Sequence, residues 1–193
     1  MSVDEIVQHC IKRGYISERQ APWLCYAIKK HMGSLFASLP ILMLASYLAT
    51  PIAACFFYCS FCWLRSRTNG LHAKTFWGCM VASLFCVLIF MGPVYHLISD
   101  YALLVLLLVS VVIIWLFAPF NHPNMHLTNR EKIACMNSAR RRVLVLLLGA
   151  FALHILDQHE ASVGILLGIV MAALLLALAF LFQKETNYKF DTI

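Results

Sequence analysis

Residues 65–79 read Arg65-Ser66-Arg67-Thr68-Asn69-Gly70-Leu71-His72-Ala73-Lys74-Thr75-Phe76-Trp77-Gly78-Cys79, a short basic segment wedged between two long apolar runs. Upstream, no Asp, Glu, Lys or Arg occurs from residue 31 to residue 64. Downstream, the chain re-enters an apolar stretch at Phe76. A soluble domain needs far more surface charge than a chain that is 62% hydrophobic and 12% charged provides. Apolar runs of this length point to an all-α integral membrane protein, because in lipid a helix satisfies its backbone internally.

Working outward, residues 31–64 are too many for one span and suit two, folded at Thr50-Pro51 where proline breaks the helix. A third span is predicted over about residues 76–96 and a fourth over about 101–117, with Ser99-Asp100 between them. A polar loop over 118–142 ends in Arg140-Arg141-Arg142 and leads into a short fifth span, about 143–156. Asp157-Gln158-His159-Glu160 forms a tight loop before the sixth span, about 161–182. Spans this short fit a thinned bilayer or re-entrant geometry. Residues 1–33 read as two short amphipathic helices, the first carrying an apolar stripe of Val3, Ile6, Val7, Cys10 and Ile11. Ser2 with Glu5 makes a capping box, Gly14 a stop, and Ser17 with Gln20 a second cap. The expected organisation is therefore an interfacial region (1–33), a six-span membrane domain (34–182) and a polar tail (183–193).

Charge orients the spans. Of the 15 basic residues, five fall in 1–33, three in 65–75, five in 118–142 and two in 183–193. The remaining connections carry only Asp100, Asp157 and Glu160. The positive-inside rule then puts both termini, residues 65–75 and residues 118–142 in the cytoplasm. No apolar run with a cleavage site stands at the N-terminus, so no secretory signal peptide is expected. The eight cysteines lie mostly inside apolar runs, which suits small buried hydrophobes better than a disulfide framework.

Within the basic segment, His72 precedes Cys79 by seven residues. A thiol becomes a strong nucleophile when a base ionises it, and imidazole does so near neutral pH. On a continuous helix seven residues rise about 10.5 Å, too far for contact. A catalytic pair therefore requires the chain to turn back at Asn69-Gly70, with Gly70 supplying backbone freedom. A helix starting near Lys74 or Thr75 would put Cys79 in its first turns, where the helix dipole and Lys74 favour thiolate. Asn69, Asn121 and Ser138 are candidates to orient the imidazole, although a dyad suffices.

Other features have plainer readings. Cys55, Cys59 and Cys62 share one helical face, expected to be a buried packing face and not a metal or redox site. His122 and His126 have ligand spacing, but Pro123-Asn124 between them argues for a loop and against a metal. Gly164, Gly168 and Ala172 make a small-residue stripe for close packing, within the fold or across a homodimer. Arg140, Arg141 and Arg142 serve as an inside anchor or attract an acidic peptide.

Arg65, Gly70, His72, Ala73 and Cys79, together with the whole-chain layout, resemble the signature of the accessory gene regulator protein B (AgrB) family. These are bacterial membrane cysteine endopeptidases that mature cyclic quorum-sensing peptides. The family's arginine lies seven residues before the histidine, its glycine two before, and its cysteine seven after, as here. Asn69 departs from the pattern, standing where a second glycine is favoured. The resemblance implies His72 and Cys79 as catalytic residues and an AgrD-like propeptide as substrate, with an amphipathic leader, a cysteine-containing core and an acidic tail. Arg65, Asn69, Gly70, Lys74, Arg140, Arg141 and Arg142 are the supporting or substrate-binding candidates. No cofactor, metal or nucleic acid is implied, and the active site is expected at the cytoplasmic face of a bacterial cell membrane. Two alternatives remain at this stage, a hydrolytic peptidase releasing linear peptide and a non-catalytic scaffold or transporter. The transporter is disfavoured because the spans hold no Asp, Glu, Lys or Arg.

Overall fold

The computed structural model describes residues 3–15, 17, 21–70, 76–120 and 128–182. They are helical throughout, with no strand among the described residues. The chain divides into two compact units, Met1–Ile41 and Leu42–Ile193.

In the first unit, α1 (Val3–Lys12) is amphipathic as its spacing predicts. Val7 is buried and Val3, Ile6, Cys10 and Ile11 are half-buried, whereas Asp4, Glu5, Gln8 and His9 are exposed. Gly14, at φ 70°, ends it by returning its amide to the Ile11 carbonyl at 2.9 Å. Ser2 and Gln20, one member of each expected cap, lie outside the described residues. The second expected short helix is instead the start of α2 (Ala21–Leu48), which runs uninterrupted through residue 33. Gly33 alone weakens a helix by only about 1 kcal/mol, and Pro40 is tolerated where the surroundings are apolar.

The second unit begins within α2. The break at Thr50-Pro51 is as expected: Pro51 opens α3 (Pro51–Thr68) and the Thr50 hydroxyl accepts the Ala53 amide at 3.2 Å. A third apolar helix, α4 (Phe76–Ile89), continues through a π-helical turn at Phe90–Val94 into the short α5 (Tyr95–Leu97). Gly92 and Pro93 account for that kink. Ser99 caps α6 (Asp100–Phe117). α7 (Asn129–Ile155) and α8 (His159–Phe182) complete the unit.

Helix α8 is the centre of this unit. α3, α6 and α7 all pack on it, and α3 also packs on α7. The α3–α8 seam is close because α8 presents glycines. A Cβ at Gly164 would meet the Ala53 carbonyl, and one at Gly168 would meet the Ser60 hydroxyl and the Phe57 carbonyl. The small-residue stripe is therefore covered by this chain's own α3. Buried hydroxyls on the seam are satisfied, Ser60 donating to the Phe57 carbonyl at 3.0 Å and Ser162 to that of Ala150 at 2.9 Å.

Two expectations need correction. Cys55, Cys59 and Cys62 are exposed, not buried. α3 turns Ala53, Ala54, Phe57, Ser60 and Leu64 inward, and the cysteines fall on the opposite face. The polar loop ends at Thr128, not Arg142, so Arg140, Arg141 and Arg142 stand on a helix. The cause is a capping box: the Glu131 amide donates to the Thr128 hydroxyl, and the Glu131 carboxylate accepts the Thr128 amide at 2.9 Å.

Among the described residues three helices are long and apolar enough to cross a bilayer: Trp77–Leu97, Asp100–Phe117 and His159–Phe182. Leu35–Leu48 is apolar but shorter. Their length and composition fit membrane localisation.

Candidate active site

The site builds from the last turn of α3. Arg65 points its guanidinium forward along its own helix, and Nη1 donates to the Asn69 carbonyl at 2.6 Å. The Asn69 amide closes the last helical bond to the Arg65 carbonyl at 3.0 Å. Asn69 then leaves the helix at φ 58° and ψ −134°, outside the left-handed helical region and in a conformation that favours glycine. Its side chain is buried and donates from Nδ2 to the Phe120 carbonyl at 3.2 Å. The Phe120 amide in turn donates to the Thr68 carbonyl at 3.0 Å. These two reciprocal bonds clasp the end of α3 to the turn after α6, whose Ala118–Pro119 peptide is cis.

Gly70 follows at φ 117°, where any side chain is strained. Space forbids one as well, since a Cβ there would run into the Arg65 guanidinium and lie 2.9 Å from the Leu175 carbonyl of α8. Both residues therefore make the sharp departure that a turn-back demands. His72 and Lys74 lie outside the described residues.

Cys79 is the fourth residue of α4, which is described from Phe76 onward; the expected start near Lys74 or Thr75 lies outside the described residues. Cys79 is half-buried, and its carbonyl accepts the Ser83 hydroxyl at 2.9 Å. Arg65 lies within electrostatic reach of it. Burial lowers the Arg65 guanidinium from its usual value, and attraction to the Cys79, Cys86 and Cys62 sulfurs acts in the opposite sense. A residue fourteen positions upstream thus brings positive charge toward the first turn of α4.

The three consecutive arginines have separate tasks. Arg140 donates from Nε and Nη2 to the Trp115 carbonyl at 3.3 and 2.8 Å and stacks over the Trp115 ring at 5.0 Å. Arg142 donates to the Trp63 carbonyl and the Ser66 hydroxyl and lies 5.2 Å from the Trp63 ring centroid. Arg141 reaches only back to the Asn137 carbonyl, at 3.4 Å, and is exposed. Beside them a cleft of about 320 Å³ opens between the ends of α6, α7 and α8, lined by Phe117, Ile133, Met136 and Phe180, with Lys132 at its edge.

The bonds among residues 65–70, 118–120 and 128–142 gather the basic segments at one end of this unit. At another place in the unit stand Thr50, whose hydroxyl donates to Glu160 at 2.8 Å, and His96, bonded to the Leu48 carbonyl at 2.8 Å. Asp157 and His159 pair nearby at 3.0 Å. Thr68, Phe120 and Leu175 were not foreseen as part of the site. They act through backbone atoms, and no local pattern marks those. No group of three or more His, Cys, Asp or Glu side chains suited to a metal ion occurs among the described residues.

The family model described as accessory gene regulator B matches residues 3–181. No curated protein and no solved structure matches the chain.

Proposed function

The chain belongs to the accessory gene regulator B family, which processes quorum-sensing peptides from an AgrD-type propeptide, and from that membership we propose that it is a membrane cysteine endopeptidase and cyclase. Cys79 attacks the carbonyl of the peptide bond after the propeptide core. His72 takes the thiol proton and returns it to the leaving amine as the C–N bond breaks, releasing the tail. The core is left on Cys79 as a thioester. The core's own cysteine thiol then attacks that carbonyl, forming a thiolactone and restoring the Cys79 thiol. Thioester exchange is nearly balanced in energy, so ring closure depends on proximity and the exclusion of water.

What supports this reading is the family match over residues 3–181, with Cys79 half-buried near the described start of α4. The positive φ of Asn69 and of Gly70, which lies two residues before His72, is consistent with the change of direction that the dyad requires. In the same reading the chain crosses the membrane six times with both termini and the site in the cytoplasm, α1 lying on the membrane surface.

The test is the propeptide reaction. Cys79→Ala should abolish cleavage while preserving insertion, and Cys79→Ser should be nearly inactive. His72→Ala should be severely impaired, with slow turnover returning at raised pH. Wild-type protein should accumulate a thioester at Cys79 that hydroxylamine releases. Mass spectrometry separates thiolactone from linear product. Robust cleavage by Cys79→Ala would sink the peptidase reading. A reporter after Asp157 found in the cytoplasm would sink the six-span topology.

A further inference from the structure

Arg67 at the end of α3 and Arg142 in the middle of α7 both lie on the seam where these helices pack. Arg67 is exposed and donates from Nη1 to the Cys135 sulfur at 3.9 Å. Cys135 and Arg142 lie seven residues apart on one face of α7. Arg142 donates to the hydroxyl of Ser66, the residue preceding Arg67. The consecutive residues Ser66 and Arg67 thus both bond to α7, at Arg142 and Cys135. Neither Arg67 nor Arg142 has a carboxylate partner among the described residues. Across the described residues 65–70 and 128–142 there are seven cations (Arg65, Arg67, Arg130, Lys132, Arg140, Arg141 and Arg142) and one carboxylate, Glu131, which caps its own helix. Their mutual repulsion is felt: Arg142 is held below its usual value first by burial and then by Arg67. An anion placed between them would relieve that repulsion.

The surroundings say which anion. Arg142 lies over Trp63, whose ring is 42% exposed, and Arg140 lies over Trp115, 38% exposed. Tryptophans at the ends of apolar helices mark headgroup depth, and basic pockets between helices there take phosphate. Below Trp63 the outward face of α3 continues through Cys59, Phe56 and Ile52, all exposed and apolar. The seam thus offers a cationic mouth over an apolar strip, the shape of one lipid and not of an acidic peptide. We infer that Arg67, Ser66 and Arg142 form a binding site for the phosphate of an anionic phospholipid, whose acyl chain lies along α3. This site is independent of the peptidase chemistry.

The experiment uses full-length protein in phosphatidylcholine nanodiscs with and without phosphatidylglycerol, read by Tm and by native mass spectrometry. Phosphatidylglycerol should raise the wild-type Tm and survive as a bound adduct. Arg67→Gln should weaken its binding about fivefold, the factor that corresponds to about 1 kcal/mol per basic residue. Arg67→Gln with Arg142→Gln should abolish the adduct, whereas Arg130→Gln should leave it unchanged. If the double variant does not fold, Arg67→Gln decides alone, because that side chain is exposed and its hydrogen bond among the described residues is to the Cys135 thiol. Equal phosphatidylglycerol gains in wild type and Arg67→Gln would overturn the proposal. So would an equal shift from inorganic phosphate in phosphatidylcholine discs, which makes it a free-anion site. Displacement of the adduct by a synthetic acidic peptide would reassign the seam to peptide and overturn it too.

Discussion

Asn69 holds Phe120 across 51 residues of chain: its side-chain amide donates to the Phe120 carbonyl at 3.2 Å, and the Phe120 amide answers to the neighbouring Thr68. The pairing ties the turn that precedes His72 to the turn that follows α6. Asn69→Gly suits the positive φ but removes the side-chain donor to the Phe120 carbonyl, a net loss of about 0.5–1.5 kcal/mol. Asn69→Asp should be worse, since it sets a carboxylate against a carbonyl oxygen. Thermal unfolding and propeptide processing should both rank wild type above Asn69→Gly above Asn69→Asp.

Gly70→Ala meets two obstacles, a φ of 117° and the Leu175 carbonyl 2.9 Å from the new methyl. The backbone strain alone costs about 1–3 kcal/mol. Processing should collapse while membrane insertion persists. Wild-type activity in Gly70→Ala would show that the turn is not needed.

Helix α8 supplies an internal comparison. Gly168→Ala drives a methyl into Ser60 and Phe57 and should destabilise by about 1–3 kcal/mol. Gly149→Ala in α7 meets nothing within 4 Å and should be neutral or mildly stabilising. Unfolding in detergent should separate the two; equal Tm values would contradict the close α3–α8 seam.

The arginine triplet should divide by role. Arg140→Gln and Arg142→Gln release the Trp115 and Trp63 carbonyls and should lower Tm. Arg141→Gln should leave Tm unchanged, because its one bond is a weak reach to its own helix. If processing of an acidic-tailed propeptide falls in Arg141→Gln and loses part of its salt dependence, that residue steers the tail.

The start of α7 carries a pH dependence of known sign. Bonds from the Thr128 amide and hydroxyl hold the Glu131 carboxyl below its usual value. The capping contribution is therefore fully present above the unfolded carboxyl's pKa and is lost as pH falls through the lower folded one. Hydrogen exchange at residues 129–134 should be protected at neutral pH, give way under acid, and lose that acid transition in Glu131→Gln.

Helical class, membrane environment and the break at Thr50-Pro51 were all legible in the sequence, because each depends on local physics. Uncharged runs need lipid, and proline at a first turn needs no partner. The backbone demand on Asn69-Gly70 was legible for the same reason. The start of α7 was legible too, in Thr128 and Glu131, but the polarity of the segment obscured it. What only the tertiary structure decided was pairing. No local pattern says that Gly164 and Gly168 admit α3, leaving Cys55, Cys59 and Cys62 outside. None says that Asn69 holds Phe120, or that Arg140 and Arg142 settle on separate tryptophans while Arg67 faces Arg142. Such contacts depend on which helix faces close against α8, and that choice is made by fitting small side chains and backbone carbonyls from distant parts of the chain.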